Sequence, residues 1–165
     1  MDARMKITLT HDEQCLAEKV GTARSKFYGK KGYHTLFGRA KELGADWIHV
    51  DATGAEIAFC RAYGVEPMLA ADEGRHYDAI LVGPGGIRFT VDVKHRDTEF
   101  GPMNIKRQDG KRLPDLFAFV VGTMPNYRIA GFIDAKEATT EEHMNYDLDR
   151  PCYQVKQREL KETPW

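Results

Sequence analysis

The stretch Tyr77–Arg96, YDAILVGPGGIRFTVDVKHR, limits the possible folds of this chain more than any other. Two runs rich in β-formers, Tyr77–Val82 and Ile87–Lys94, flank Gly83-Pro84-Gly85-Gly86. Such runs separated by a Gly/Pro cluster read as two strands of a hairpin. The glycine-rich segment lacks a following helix and a Gly-Lys-Ser/Thr ending, so it reads as a turn and not as a phosphate-binding loop. Side chains two apart in a strand share a face. Asp92 and Lys94 therefore lie on one face, and Val91 and Val93 on the other. Hairpin pairing brings Asp78 toward Asp92. Two adjacent carboxylates repel unless a cation sits between them, and hard oxygen donors suit Mg²⁺ or Mn²⁺.

The rest of the chain supplies layers for this hairpin. Thr10 with Glu13 three residues on has the pattern of a capping box, and Leu16, Val20 and Ala23 follow at helical spacing up to about Gly29. Lys30-Lys31-Gly32 reads as a turn, and Phe37–Leu43 as a short helix or a loop. Thr53–Tyr63 is a second helix, apolar on most sides, with Ile57, Cys60 and Tyr63 in one stripe and Gly64 as its C-terminal stop. Asp97–Arg112 reads as a polar loop. Leu116–Thr123, LFAFVVGT, has the continuous apolar character of a strand buried on both faces. Tyr127–Asp134 is the next strand, Ala135–Met144 begins a helix or helical turn with Glu137 and Glu141 in register, and Tyr153–Val155 is a last short strand. This order predicts an α/β or α+β layer fold with a central mixed four-stranded sheet flanked by helices. At 165 residues the chain has the length of one domain, divided here into an N-terminal helical extension, 1–50, and a core, 51–155.

Composition excludes several alternatives. The net charge is −1, so there is no global basic signature. A local one exists: Lys19, Arg24, Lys26, Lys30, Lys31, Arg39 and Lys41 occur without an intervening Asp or Glu, in the company of Phe27, Tyr28, Tyr33 and Phe37. A basic, aromatic face of this kind suits a nucleic acid, although its simplest reading is a solvated surface. Cys15, Cys60 and Cys152 are odd in number and widely spaced, which argues against a disulfide framework or a zinc knuckle. The histidines lack zinc-ligand spacing, and no Ser/His/Asp set stands out. No apolar run approaches a membrane span, and the first residues lack the apolar core of a signal peptide. The expectation is a cytoplasmic protein without a membrane partner.

Glu56 on a helix, Asp78 at the start of a strand, and Asp92-Val93-Lys94 on the next strand together resemble the pattern of the PD-(D/E)XK nuclease superfamily. The resemblance runs from about Thr53 to Asp134, and GAEIAFCRAYG and YRIAGFID are similar to segments of small phage-type members. Tyr77 stands where the superfamily usually has proline, and Asp92 where Glu is more common. The resemblance implies a restriction-endonuclease-like core and a metal-dependent nuclease, acting on DNA more readily than RNA, in the host cytoplasm if phage-encoded. It implies catalytic roles for Lys94, Asp92, Asp78 and Glu56. Asp78, Asp92, Glu56 and the Val93 carbonyl would hold Mg²⁺ or Mn²⁺, and Lys94 would position the attacking water. His95, Arg96, Lys106, Arg107, Lys111 and Arg112 would contact backbone phosphates. Cutting both strands would favour a homodimer. Simpler roles exist beside these: an ion pair for Asp92 and Lys94, a turn or cap for Asp78, a capping box with Thr53 for Glu56. They correspond to a non-catalytic nucleic-acid-binding or regulatory protein on the same fold.

Overall fold

The computed structural model describes residues 5–29, 44–70, 75–107 and 110–165. The turn expected at Lys30-Lys31-Gly32 and the helix or loop at Phe37–Leu43 lie outside them. In chain order the elements are β1 (Lys6–Thr8), α1 (His11–Gly29), α2 (Ala45–Tyr63), β2 (Ala79–Val82), β3 (Arg88–Arg96), β4 (Met103–Lys106), β5 (Leu116–Thr123), β6 (Asn126–Asp134), α3 (Ala135–Ala138), β7 (Met144–Asn145) and β8 (Cys152–Val155).

The main sheet is mixed, with strand order β1-β6-β5-β3-β2. β3 and β5 run parallel, and the other neighbours are antiparallel. The expected mixed sheet is therefore present, but with five strands in place of four. The added strand is β1, whose three residues pair with Arg128, Tyr127 and Asn126 of β6. So short a segment carries no local strand signal; β6 supplies its hydrogen bonds. The expected loop at Asp97–Arg112 also contains a strand. Met103 and Ile105 are buried while Asn104 and Lys106 face out, and this strand, β4, pairs with β8 in a second sheet of order β4-β8-β7.

The two faces of the main sheet are covered differently. On one, Ala79, Leu81, Val91, Val93, Ala118 and Val120 pack with Ala17 of α1 and Ala55, Ala58 and Phe59 of α2. On the other, Phe117, Phe119 and Val121 pack with Met103, Ile105 and Val155 of the small sheet and Ala135 and Ala138 of α3. Helices thus cover one face, whereas a three-stranded sheet and a single helical turn cover the other. The helix expected over Ala135–Met144 stops at Ala138 and is followed by a 3-10 turn at Glu141–His143, so Glu137 and Glu141 do not share a helix.

The helices explain their own boundaries. At α1 the Thr10 N–H donates to Glu13 Oε2 (2.7 Å) and the Glu13 N–H to Thr10 Oγ1 (3.3 Å), the reciprocal capping box read from the sequence. α2 begins at Ala45, well before the expected start at Thr53. Thr53 is helix interior, and its hydroxyl donates to the His49 carbonyl one turn back (2.6 Å). Thr53 and Glu56 imitate a capping box by spacing, yet their backbone groups are already paired within the helix. Gly64 ends α2 in the left-handed conformation (φ 63°), with the Val65 N–H reaching back to the Cys60 carbonyl (2.9 Å). α1 and α2 cross at Gly21, where a Cβ would lie 2.4 Å from the Val50 Cα. Only glycine lets the two backbones approach so closely.

Candidate functional site

The expected hairpin forms, with Ala79 opposite Val91 and the Gly83 N–H closing the turn on the Ile87 carbonyl (2.8 Å). Asp78 stands one residue before β2. Its N–H donates to the Val91 carbonyl (2.8 Å), and its Oδ2 accepts the Val93 N–H (2.8 Å). The side chain thus continues the ladder where β2 has ended. In a strand, one residue's N–H and C=O point to the same lateral side. The Val93 carbonyl therefore also faces the open end of β2, beside Asp78.

Asp92 and Lys94 lie on the face shared with Phe117 and Phe119, their register partners on β5. Lys94 Nζ is 2.8 and 2.9 Å from the two Asp92 oxygens and sits 5.4 Å over the Phe117 ring. The pair is neither free nor sealed, with side-chain exposures of 20 % for Asp92 and 27 % for Lys94. Burial would lower the Lys94 pKa, but Asp92, then Asp78 and Glu56, together raise it above its ordinary value. Lys94 is an ammonium held in place by acidic neighbours.

Glu56 projects from the middle of α2 and is 8 % exposed. Desolvation raises its pKa, and Arg24 opposes that shift. Arg24, on α1, places Nη1 at 2.8 and 2.9 Å from both Glu56 oxygens and at 3.3 Å from Thr53 Oγ1. Its Nη2 donates to the Met68 carbonyl (3.3 Å). The Met68 N–H in turn donates to the Asp78 carbonyl (3.2 Å), so the segment after α2 is tied to both acids. Arg75 Nη2 donates to the carbonyls of Met68 (2.6 Å) and Ala70 (2.7 Å). Asp78 has the larger disturbance: burial first, then Glu56 and Asp92, push its carboxyl well above the usual range, against the Val93 N–H and Lys94. Cys60, one turn beyond Glu56, is a buried free thiol pushed up to about 12 by burial and by Glu56, Asp78 and Glu66.

Glu56, Asp78, Asp92 and Lys94 thus act on one another electrostatically, although they come from three separate elements. The proposed phosphate contacts are more scattered. The His95 side chain turns to the helical face, with Nε2 2.8 Å from the Gly122 carbonyl and 3.7 Å from Asp51 Oδ2, and its ring meets Tyr127 edge-on. Arg96 shares the Lys94 face, but its Nε donates to the Pro102 carbonyl (3.0 Å). Lys106 ends β4; it, Arg107, Lys111 and Arg112 are exposed on the connection that returns to β5. Two participants had no signal in the sequence. Arg24 lies in a run of basic residues whose other members give no hint that one is buried. Asp51, 3 % exposed, accepts from the Met124 N–H and the Tyr127 hydroxyl and anchors α2 to the β5–β6 turn.

Among the described residues, no three His, Cys, Asp or Glu side chains are grouped as a ready metal shell. The hairpin places one oxygen set, Asp78, Asp92 and the Val93 carbonyl, at one strand end. By chemistry alone, oxygen donors of these types suit a hard divalent cation such as Mg²⁺, which needs only one or two carboxylates and keeps water in its other positions. The raised pKa of Asp78 comes first from burial and then from the negative charges of Glu56 and Asp92. No helix among the described residues is long and apolar enough to cross a membrane. Compared with family models, with curated proteins and with solved structures, the chain matches none.

Proposed function

We propose that this chain is a metal-dependent nuclease with a restriction-endonuclease-like core, hydrolysing phosphodiester bonds in DNA in preference to RNA. One observation carries the proposal: Asp78, a desolvated carboxylate of raised pKa, is held by the Val93 N–H next to the Asp92–Lys94 pair. Asp78, Asp92 and the Val93 carbonyl would hold Mg²⁺ or Mn²⁺, which when bound supplies charge neutralisation at the phosphate and a more acidic water. Lys94 stays protonated, orients that water through its N–H donors and stabilises negative charge developing on the phosphoryl oxygens. Glu56 supports the acids from the helical side. Lys111 and Arg112 offer exposed positive charge to flanking phosphates.

A second reading has its own support. Asp92 is satisfied by Lys94 and Glu56 by Arg24, so most of the charge is internally compensated. A non-catalytic nucleic-acid-binding or regulatory protein would retain such pairs for structure alone.

Purified protein incubated with plasmid, linear duplex, single-stranded DNA and RNA, in Mg²⁺, Mn²⁺ or EDTA, separates the two. Nuclease action predicts cleavage that requires metal and falls more than about a hundredfold in both Asp92→Ala and Lys94→Ala. Undiminished cleavage by Asp92→Ala would reject the site. Salt-dependent DNA binding without turnover in any metal would establish the second reading.

A further inference from the structure

We infer that Arg24 is the resident counter-cation of this site, withholding Glu56 from metal coordination so that Asp78, Asp92 and the Val93 carbonyl hold a single divalent ion. The inference rests on the metal-dependent reading above and goes beyond it, because Arg24 belongs to α1, outside the acidic motif. Three carboxylates, Glu56, Asp78 and Asp92, act on one another electrostatically, and fixed cations already answer two of them. Lys94 lies on Asp92, and Arg24 lies on Glu56 at 2.8 and 2.9 Å. A guanidinium does not deprotonate in proteins, so it cannot give way by losing its charge. For Glu56 to ligate a metal, at least one of its oxygens would have to share or release its contact with Arg24, which is 9 % exposed. Full release would leave Arg24 only Thr53 Oγ1 at 3.3 Å and the Met68 carbonyl at 3.3 Å, a buried charge without a counter-ion. Among the described residues, Asp78 has no such ion-pair partner. Its side chain accepts one backbone N–H and feels Glu56 and Asp92 more strongly than Lys94, so the deficit of positive charge is local to Asp78.

Arg24 also acts at a distance on Asp78. Its Nη2 braces the Met68 carbonyl, and the Met68 N–H holds the Asp78 carbonyl. Arg24 is thus a positioning residue: it fixes Glu56 directly and, together with Arg75, whose Nη2 is 2.6 Å from the same carbonyl, supports Asp78 through one backbone link. Lysine at this position would keep the charge but not donate simultaneously to Glu56, Thr53 and Met68 from two nitrogens of one plane.

The experiment is equilibrium Mn²⁺ binding by titration calorimetry, with free Mn²⁺ counted by paramagnetic resonance, on folded protein without nucleic acid. Wild type is expected to bind one ion. Asp78→Asn is expected to weaken binding at least tenfold, and Glu56→Gln to change it less than about threefold, since about tenfold is the smallest loss typical of a removed metal-supporting group. Glu56→Gln leaves Arg24 unpaired and can cost folding, so the double variant Arg24→Met/Glu56→Leu, which replaces the whole pair by apolar groups, is measured beside it. It too should bind one ion. Arg24→Met alone, by releasing Glu56, should gain a second ion or bind the first more tightly, and Arg24→Lys should restore a stoichiometry of one. Two ions on wild type, or loss of binding in Glu56→Gln or the double variant as deep as in Asp78→Asn, would overturn the assignment of Arg24. A folded wild type that binds no Mn²⁺ would instead overturn the metal-dependent reading on which it stands.

Discussion

At Asp78, burial and the negative charges of Glu56 and Asp92 hold the carboxyl well above its ordinary pKa. Between the unfolded and folded values the native protein therefore holds the proton more tightly than the unfolded chain does. The stability this contributes is fully present below the unfolded pKa and is lost as pH rises through the folded one. Glu56 shifts the same way, chiefly through desolvation. In the absence of metal, Asp78→Asn should therefore melt higher than wild type at neutral pH, and the gap should close as pH falls toward the ordinary carboxylate range. Asn can still accept the Val93 N–H, so the comparison isolates charge. Melting curves of both proteins in EDTA from pH 4 to 8 measure this, and a gap that widens on acidification would contradict it. Residue types alone made Asp78, Asp92 and Lys94 legible, because alternation in a strand fixes which side chains share a face. Arg24 was not legible, because its partner lies across a helix crossing that no local pattern announces.

Among the elements, the α1–α2 crossing decides whether Arg24 meets Glu56. Gly21 sits one turn before Arg24, and any Cβ there would meet the Val50 Cα at 2.4 Å and the His49 carbonyl carbon at 2.8 Å. These are backbone atoms, so relief requires the helices to separate. Gly21→Ala should cost about 2 kcal/mol by overpacking and should loosen the Arg24–Glu56 contact. Gly64→Ala meets nothing within 4 Å and should cost only the strain of a left-handed residue, about 1 kcal/mol. Urea unfolding of the two variants tests the order of the effects; equal losses would show that the crossing tolerates expansion. The apolar periodicity of α2 and its terminal glycine made its existence and C-terminus readable. Its start was not, since the Thr53–Glu56 spacing suits a cap equally well when tertiary contacts are unknown. β4 carried a true alternation, Met103 and Ile105 against Asn104 and Lys106, but four residues among Gly and Pro are too few to outweigh a loop reading.

For the whole molecule, a net charge of −1 makes any attraction to nucleic acid a matter of placement. If Lys111 and Arg112 each neutralise a phosphate, the double variant to Ala should weaken DNA binding at every sequence and reduce the slope of log K against log salt by about 2. Filter binding or fluorescence anisotropy over a roughly sixfold span of ionic strength, from about 50 to about 300 mM salt, supplies the slope; an unchanged slope would remove those residues from the interface. Ligand linkage operates at the same scale. Mn²⁺ at about a hundredfold over its Kd should stabilise the wild type by ~2.7 kcal/mol, EDTA should reverse this, and Asp92→Ala should abolish it. Differential scanning calorimetry decides, and equal stabilisation of wild type and variant would place the ion elsewhere.

Local chemistry determined much of this protein in advance. The α1 capping box, the left-handed Gly64, the turn at Gly83–Gly86, the buried β5 and the common face of Asp92 and Lys94 each depend on residues close in the chain, whose preferences sum over a few bonds. Partnership across long sequence separations was decided only by tertiary packing. β1 becomes a strand because β6 offers it an edge, and β4 because β8 does. His95 belongs to Asp51 and Gly122 because the β3–β5 pairing turns it toward the helices. Arg24 reaches Glu56 because Gly21 lets two helices close. Such contacts depend on where whole elements come to rest, and that is set by burial of both sheet faces rather than by any residue's intrinsic preference.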